Sequence, residues 1–169
     1  MKKNVVISLM GVQRYEETPP DVIELVTQGQ LHEEEDGALV LTYEESELTG
    51  LEGTRTTLRI EGERVVMLRE GELNTQMIFE EGQRHLSLYE TPYGTMSIGV
   101  RTWSLFIEMD SSGGELEMDY AVEVEYSTAG RNTFRIQVRE VSSRKGSEED
   151  VEFDSEGQGA GGKADPAGL

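Results

Sequence analysis

Polar residues interrupt the apolar faces of several predicted strands. At these positions the chain could bind a small molecule or catalyse a reaction. Residues 38–48 alternate like a strand, and either phase of that alternation aims a carboxylate, Glu45 or Glu44, into the interior. A buried carboxylate needs a partner. Arg69 could supply it, and Arg101 is the alternative. We therefore expect an inward carboxylate beside an arginine.

The surroundings of this expected pair define a candidate ligand site. Three interpretations stay open: a structural plug of polar groups that satisfy one another, a half-polar pocket that orients a small amphipathic ligand, and catalysis by an inward Glu or Tyr. The candidate ligand-binding residues are Tyr43, Glu45, Thr56, Arg69, Met77, Tyr89 and Arg101.

Signatures of known enzyme classes are missing from the sequence, and no residue is assigned a catalytic role. There is no Gly-x-Ser-x-Gly elbow, phosphate loop or His-Glu-x-x-His motif, and His32 and His85 have no identifiable partner for general base catalysis. Glu44, Glu45 and Glu47 lack the spacing of a calcium loop, and the absence of cysteine excludes thiol chemistry and Cys-ligated zinc. We expect neither a metal nor a cofactor.

The elements that would position the candidate residues are strands. The clearest is 115–126, where apolar side chains alternate strictly with polar ones, and it predicts a hairpin with 134–139 through a turn at 128–132. Across this hairpin, outer-face acids such as Glu117 would pair with Arg135 and Arg139. The other predicted strands are 4–15, 22–33, 38–48, 54–61, 64–70, 73–80, 84–91 and 95–109, the last bent or bulged at Gly99.

About ten strands joined by short turns predict an all-β fold, a closed antiparallel up-and-down barrel of about 8–10 strands. Closure is favoured because an open sheet would leave two long edges that invite aggregation. A two-sheet sandwich is the alternative, although no long crossover connection is evident. On the inner faces we expect Leu86 and Leu88 to lead to Glu90, and Met67, Met77 and Tyr89 to line any cavity.

The amino-acid composition limits which partners and which cellular compartment can be expected. Fifteen Lys and Arg against 34 Asp and Glu give a formal net charge of −19, which disfavours nucleic acid and anionic membranes. The first ten residues read as a strand rather than a signal peptide, no segment has the length of a membrane span, and the lack of cysteine fits a cytoplasmic protein. Residues 1–141 are predicted to form the barrel domain, and 142–169 a disordered acidic, Gly- and Ser-rich tail.

Four stretches resemble a known family, the YwiB-like bacterial proteins of unknown function. They are VIELVT at 22–27, YEESELTGLEGT at 43–54, FEEGQR at 79–84 and YETPYG at 89–94. The resemblance covers about residues 3–140 and implies a calycin-like, lipocalin-like barrel without implying an activity. The lipocalin Gly-x-Trp motif is missing from the first strand, and the one tryptophan, Trp103, comes late in the chain.

Two functional hypotheses from different classes follow. The first is a cytoplasmic barrel that binds a small amphipathic molecule in its interior. The second is a protein-interaction module that uses the rim loops at 19–20 and 91–94 around a filled core. A cavity that reaches solvent would favour the first, and a packed interior with an apolar rim would favour the second.

Overall fold

Strands and turns account for all the secondary structure in the computed structural model, which describes residues 2–15, 17–71, 74–125 and 127–141. The predicted tail at 142–169 lies outside the described residues. The ten strands are β1 Lys3–Arg14, β2 Asp21–Glu33, β3 Leu39–Glu44, β4 Thr54–Glu61, β5 Arg64–Gly71, β6 Asn74–Glu80, β7 Arg84–Thr91, β8 Gly94–Asp110, β9 Gly113–Val124 and β10 Ser127–Glu140.

Each strand pairs antiparallel with its neighbours in sequence, and β1 also pairs with β10, so that the sheet closes into a ten-stranded barrel. The predicted fold is therefore confirmed. The seam between β6 and β7 has two paired positions, Asn74 with Glu90 and Thr75 with Tyr89. Every other seam in the described chain has at least five paired positions.

The inner faces of β3 to β6 stack in rows of cross-strand neighbours, and these rows separate an apolar end of the barrel from a polar end. The row at the apolar end is Leu39, Ile60, Val65 and Phe79. The next row is Leu41, Leu58, Met67 and Met77, and all eight of these residues are buried. The third row, at the polar end, is Tyr43, Thr56, Arg69 and Thr75.

The bounds predicted for β4 and β7 match the structure, but β3 is shorter than predicted. It ends at Glu44, and residues 45–53 form the loop to β4. Leu39, Leu41 and Tyr43 face inward, and Glu45 keeps that direction although it lies beyond the strand.

Two predicted irregularities are misplaced. The bulge of β8 is at Trp103, whereas Gly99 keeps a regular register. Gly99 makes room for an outer-face ion pair: a Cβ there would lie 3.0 Å from the Arg84 guanidinium, whose Nη2 is 2.6 Å from Glu123. The stretch 128–132 belongs to β10 instead of forming a turn. The chain turns at Glu125, with φ of 52°, and the glycine-containing segment that suggested a turn is a β-bulge between β9 and β10.

The predicted inner face of β7 is wrong. Leu86 and Leu88 face outward and are 55% and 65% exposed, while Tyr89 faces inward. The register with β8 explains this inversion. Ile98 and Val100 of β8 occupy the interior. The β7 side chains that face inward beside them are therefore the smaller or more polar ones, and the two leucines face outward.

Candidate functional site

Adjacent strands bring four of the seven candidate residues together at the polar end. Tyr43 of β3 lies opposite Thr56 of β4, and Thr56 lies opposite Arg69 of β5. Glu45 reaches the same place from the loop after β3, because its backbone N–H donates to the Thr54 carbonyl at 2.9 Å. The strands thus place three side chains in one row, and a backbone hydrogen bond adds the fourth.

Glu45 is the buried charge of this cluster, with a side chain only 2% exposed. Both carboxylate oxygens accept hydroxyl hydrogen bonds, Oε1 from Thr49 at 2.9 Å and Oε2 from Thr56 at 2.5 Å. Oε2 also lies 3.8 Å from Nε of Arg69, which is an ion pair but too long for a hydrogen bond. The protein therefore supplies the carboxylate with both hydroxyl donors and a counter-charge.

Arg69 is held differently from its acidic partner. Its Nε donates to the Thr56 hydroxyl at 3.4 Å, and in the described chain its two terminal nitrogens make no hydrogen bond. The side chain is 21% exposed. The edge of the guanidinium that recognises carboxylates in a two-point fashion is thus left available.

Two tyrosines near Arg69 stay neutral over the physiological pH range. Burial raises the pKa of Tyr43 far above its usual value, and the negative charge of Glu45 raises it further. Burial also raises the pKa of Tyr120 on β9, against the opposing effect of Arg69. Both phenols therefore keep their protons and can donate hydrogen bonds.

The other three candidates lie outside this cluster. Met77 is buried one row deeper, opposite Met67. Tyr89 continues the polar-end row on β7, opposite Thr75, and packs against the hydrophobic core. Arg101 is not an interior residue: its side chain is 49% exposed on the outer face, where Nε lies 4.0 Å from Glu123. The expected inward arginine is therefore Arg69.

A cavity of about 240 Å³ opens beside the cluster, on the side of the barrel formed by β1, β2 and β10. Tyr43, Glu45, Arg69 and Tyr120 form its polar wall. The opposite wall is largely apolar and includes Leu9, Ile23, Leu25 and Phe134. Met67, Met77 and Tyr89, expected to line a cavity, do not line this one: the methionines are buried in the core, and Tyr89 packs against it. Further lining residues are Gln13, Asp21, Thr49, Leu51 and Asn132, and Asp21, the exposed one among them, marks the mouth.

Gly11 explains why space exists there. It faces inward on β1, between Ile23 of β2 and Phe134 of β10, and a Cβ built on it would meet no atom within 4 Å. A glycine in the middle of a strand often marks a place where a ligand approaches the backbone. This wall was not among the residues predicted from the sequence, although the alternation of β1 indicated it: Gly11 follows Val5, Ile7 and Leu9 on the buried face.

Metal binding has no support in the described residues: they contain no group of three or more His, Cys, Asp or Glu side chains placed to hold an ion. They also contain no helix long and apolar enough to cross a membrane.

One protein family matches most of this chain. Residues 7–136 match the family described as a domain of unknown function, DUF1934. The chain belongs to this family. Among solved structures, the ywiB protein from Bacillus subtilis is similar, with a TM-score of 0.68 and 16% sequence identity over 83% of this chain and 94% of that one. None of the curated protein sequences compared with the chain matches it.

The likeness to the ywiB protein extends to the fold alone at this level of identity. The DUF1934 match agrees with the resemblance noted in the sequence, including its lack of a known activity. Any function must therefore be argued from the cavity and its walls.

Proposed function

We propose that this DUF1934 protein is a barrel that binds one small amphipathic molecule in the cavity at its polar end. The supporting observation is the division of the cavity into a wall of polar groups around Arg69 and an apolar wall around Phe134. Binding sites for small molecules combine apolar surface with a few convergent polar groups in this way. At roughly 30 Å³ per water, a volume of 240 Å³ corresponds to about eight water molecules, so the ligand is small.

Gly11 offers a direct test, because it borders the cavity without filling it. Gly11→Leu should fold, since the new Cβ meets no atom within 4 Å and the glycine is not in the left-handed region. The new side chain would occupy the space meant for the ligand. Ser8→Leu places the same leucine side chain on the outer face of the same strand and is the matched control.

Native mass spectrometry of the protein purified from its own cells reports bound small molecules and stoichiometry together. We expect one bound molecule on the wild type and on Ser8→Leu, and none on Gly11→Leu. Thermal unfolding with six- to ten-carbon alcohols, amines and carboxylates provides the second readout, because a ligand that binds only the folded state raises the melting temperature. No bound mass and no stabilisation by any of these compounds would end the proposal.

A second candidate function rests on the β7–β8 hairpin. Tyr93 at its tip is 98% exposed, and aromatic side chains are enriched at protein interfaces. In this alternative the rim loops at 19–20 and 91–94 bind a protein partner. Tyr93→Ser should then abolish capture of a specific partner from a lysate of the source cells and leave ligand stabilisation unchanged. Equal capture by wild type and variant would remove this candidate.

The cytoplasm is the compartment we propose for this function. The chain has no cysteine, so its stability does not depend on an oxidising environment.

A further inference from the structure

The hydrogen-bonding capacity of the polar wall exceeds what the protein itself uses, and the surplus is mostly of donors. Among the described residues, neither the terminal nitrogens of Arg69 nor the Tyr120 hydroxyl takes part in a side-chain hydrogen bond, and both residues line the cavity. Glu45, the acceptor in the same wall, already receives two hydroxyl hydrogen bonds. A ligand that complements this wall must therefore bring acceptors.

Two further hydroxyls on the same inner face are unused. Thr75 lies opposite Arg69 in the β5–β6 register, and Thr54 lies two residues before Thr56 on β4. The Oγ1 atoms of both are buried, with no hydrogen-bond partner in the described part of the chain. Buried polar atoms of this kind usually have partners, and each hydroxyl can donate as well as accept, so both add unused donors near this end of the barrel.

We propose that the ligand is a monocarboxylate with a short apolar body and that Arg69 binds its carboxylate through the two terminal nitrogens. This inference rests on the proposed function and specifies its ligand class. The planar fork of a guanidinium matches the two oxygens of a carboxylate. The neutral phenol of Tyr120 adds a further donor in the same cavity.

The charge of the site favours a carboxylate over a phosphate. Among the described lining residues Arg69 is the one cation, and Glu45, 3.8 Å from its Nε, already offsets its charge. A monocarboxylate therefore adds one negative charge to the site, whereas a phosphate would add close to two in a protein of net charge −19. The Nε edge faces Thr56 and Glu45, which leaves the opposite edge for the ligand.

The apolar body of the ligand would lie along Leu9, Ile23, Leu25 and Phe134. The volume suits a chain of about eight heavy atoms, at roughly the volume of one water each. Octanoate is slightly longer, but the cavity reaches exposed Asp21 at its mouth, where a chain end can protrude. Octanoate is therefore the probe, and octanol and octylamine carry the same chain with a neutral or a cationic head.

Titration calorimetry of the full chain with these three compounds tests the inference. We expect octanoate to bind the wild type at least about tenfold more tightly than octanol, because a charge-assisted pair of hydrogen bonds contributes at least that much binding free energy. Octylamine should bind more weakly than octanol. Arg69→Met should weaken octanoate about tenfold or more and leave octanol nearly unchanged. Arg101→Met, on the outer face, should change neither affinity.

Arg69→Lys is the second variant, in case Arg69→Met fails to fold. It keeps the charge opposite Glu45 but loses the planar fork, so we expect intermediate octanoate affinity in a folded protein. Equal affinity of octanoate and octanol in the wild type, or octanoate affinity unaffected in both Arg69 variants, would overturn the carboxylate inference. If Gly11→Leu still abolished octanol binding, the proposed function would stand. If no compound bound, or if Gly11→Leu bound them all like the wild type, both would fall.

Discussion

Removing either member of the Glu45–Arg69 pair should destabilise the barrel more than removing a member of an exposed ion pair. Oppositely charged groups 3.8 Å apart attract by about 4 kcal/mol at an effective dielectric constant near 20. Arg69 is 21% exposed, so solvent weakens this attraction, and Thr49 and Thr56 still serve Glu45 when the arginine is gone. We therefore expect a coupling of about 2–3 kcal/mol, below the roughly 3–5 lost on breaking a fully buried pair.

A double-mutant cycle in urea measures this coupling directly. It compares Glu45→Gln, Arg69→Met and the double variant with the wild type, and the interaction free energy is the departure from additivity. An unchanged dependence on urea concentration across the four proteins would show that the unfolded state is not the source of the difference.

The neighbouring pair Glu44–Arg55 is the control, because it starts one residue away and joins β3 to β4 on the outer face. Its atoms are closer, at 2.9 Å, but its side chains are 67% and 60% exposed. Burial rather than distance should decide the outcome, so we expect about 0–1 kcal/mol for the surface pair. An interior coupling no larger than the surface coupling would refute this reasoning.

Four further perturbations probe other parts of the molecule. Arg135→Glu, placed 3.5 Å from Glu117, should cost roughly 0.5–1 kcal/mol by urea unfolding, and an equal cost in 1 M salt would contradict charge pairing. The raised pKa of Tyr43 means that its contribution to stability is present below pH 10 and lost above it, as the unfolded chain ionises first. The free energy of unfolding should therefore fall less steeply between about pH 9 and 11 in Tyr43→Phe than in the wild type. If the two proteins lose stability in parallel over this range, the buried phenol is not the cause. Gly29→Ala should lower the free energy of unfolding by roughly 1–3 kcal/mol, because the new Cβ would lie 2.5 Å from a backbone oxygen of β3. An unchanged free energy of unfolding in urea would show that the two strands can move apart at no cost. Truncation after Val141 should leave the melting temperature within about a degree or two, and a larger loss would mean that the tail docks on the barrel.

The parts of the fold that the sequence predicted are those that local pattern determines. Alternation over β9 and the turn residues around β4 set strand type and bounds, because side chains on a strand repeat every two residues. The sequence of β3 also required an inward carboxylate in either phase. Glu45 is that carboxylate, although its backbone already belongs to the loop.

The errors come from properties that neighbouring strands decide. Leu86 and Leu88 have an apolar pattern that predicts burial, but β8 fills the interior at that level with Ile98 and Val100. In the same way, Arg101 could be assigned to the outer face only once its position beside Glu123 was known. The cavity depends on β10 meeting β1 and β2 at Gly11, and β10 is too far along the chain for a local window to contain all three.

The structural plug and the ligand pocket, which the sequence left as alternatives, describe different atoms of one cluster. Glu45 has the contacts of a plug: it is buried, and the protein satisfies both its oxygens. Arg69 is bound on its Nε edge only, and its other edge belongs to the cavity wall. Changes at Glu45 should therefore reduce stability first, whereas Arg69→Lys, which keeps the counter-charge, should reduce octanoate affinity more than stability. If stability and octanoate affinity instead fell in proportion across these variants, the two edges of the guanidinium would not act separately. The Glu45–Arg69 cluster would then be one tightly coupled unit.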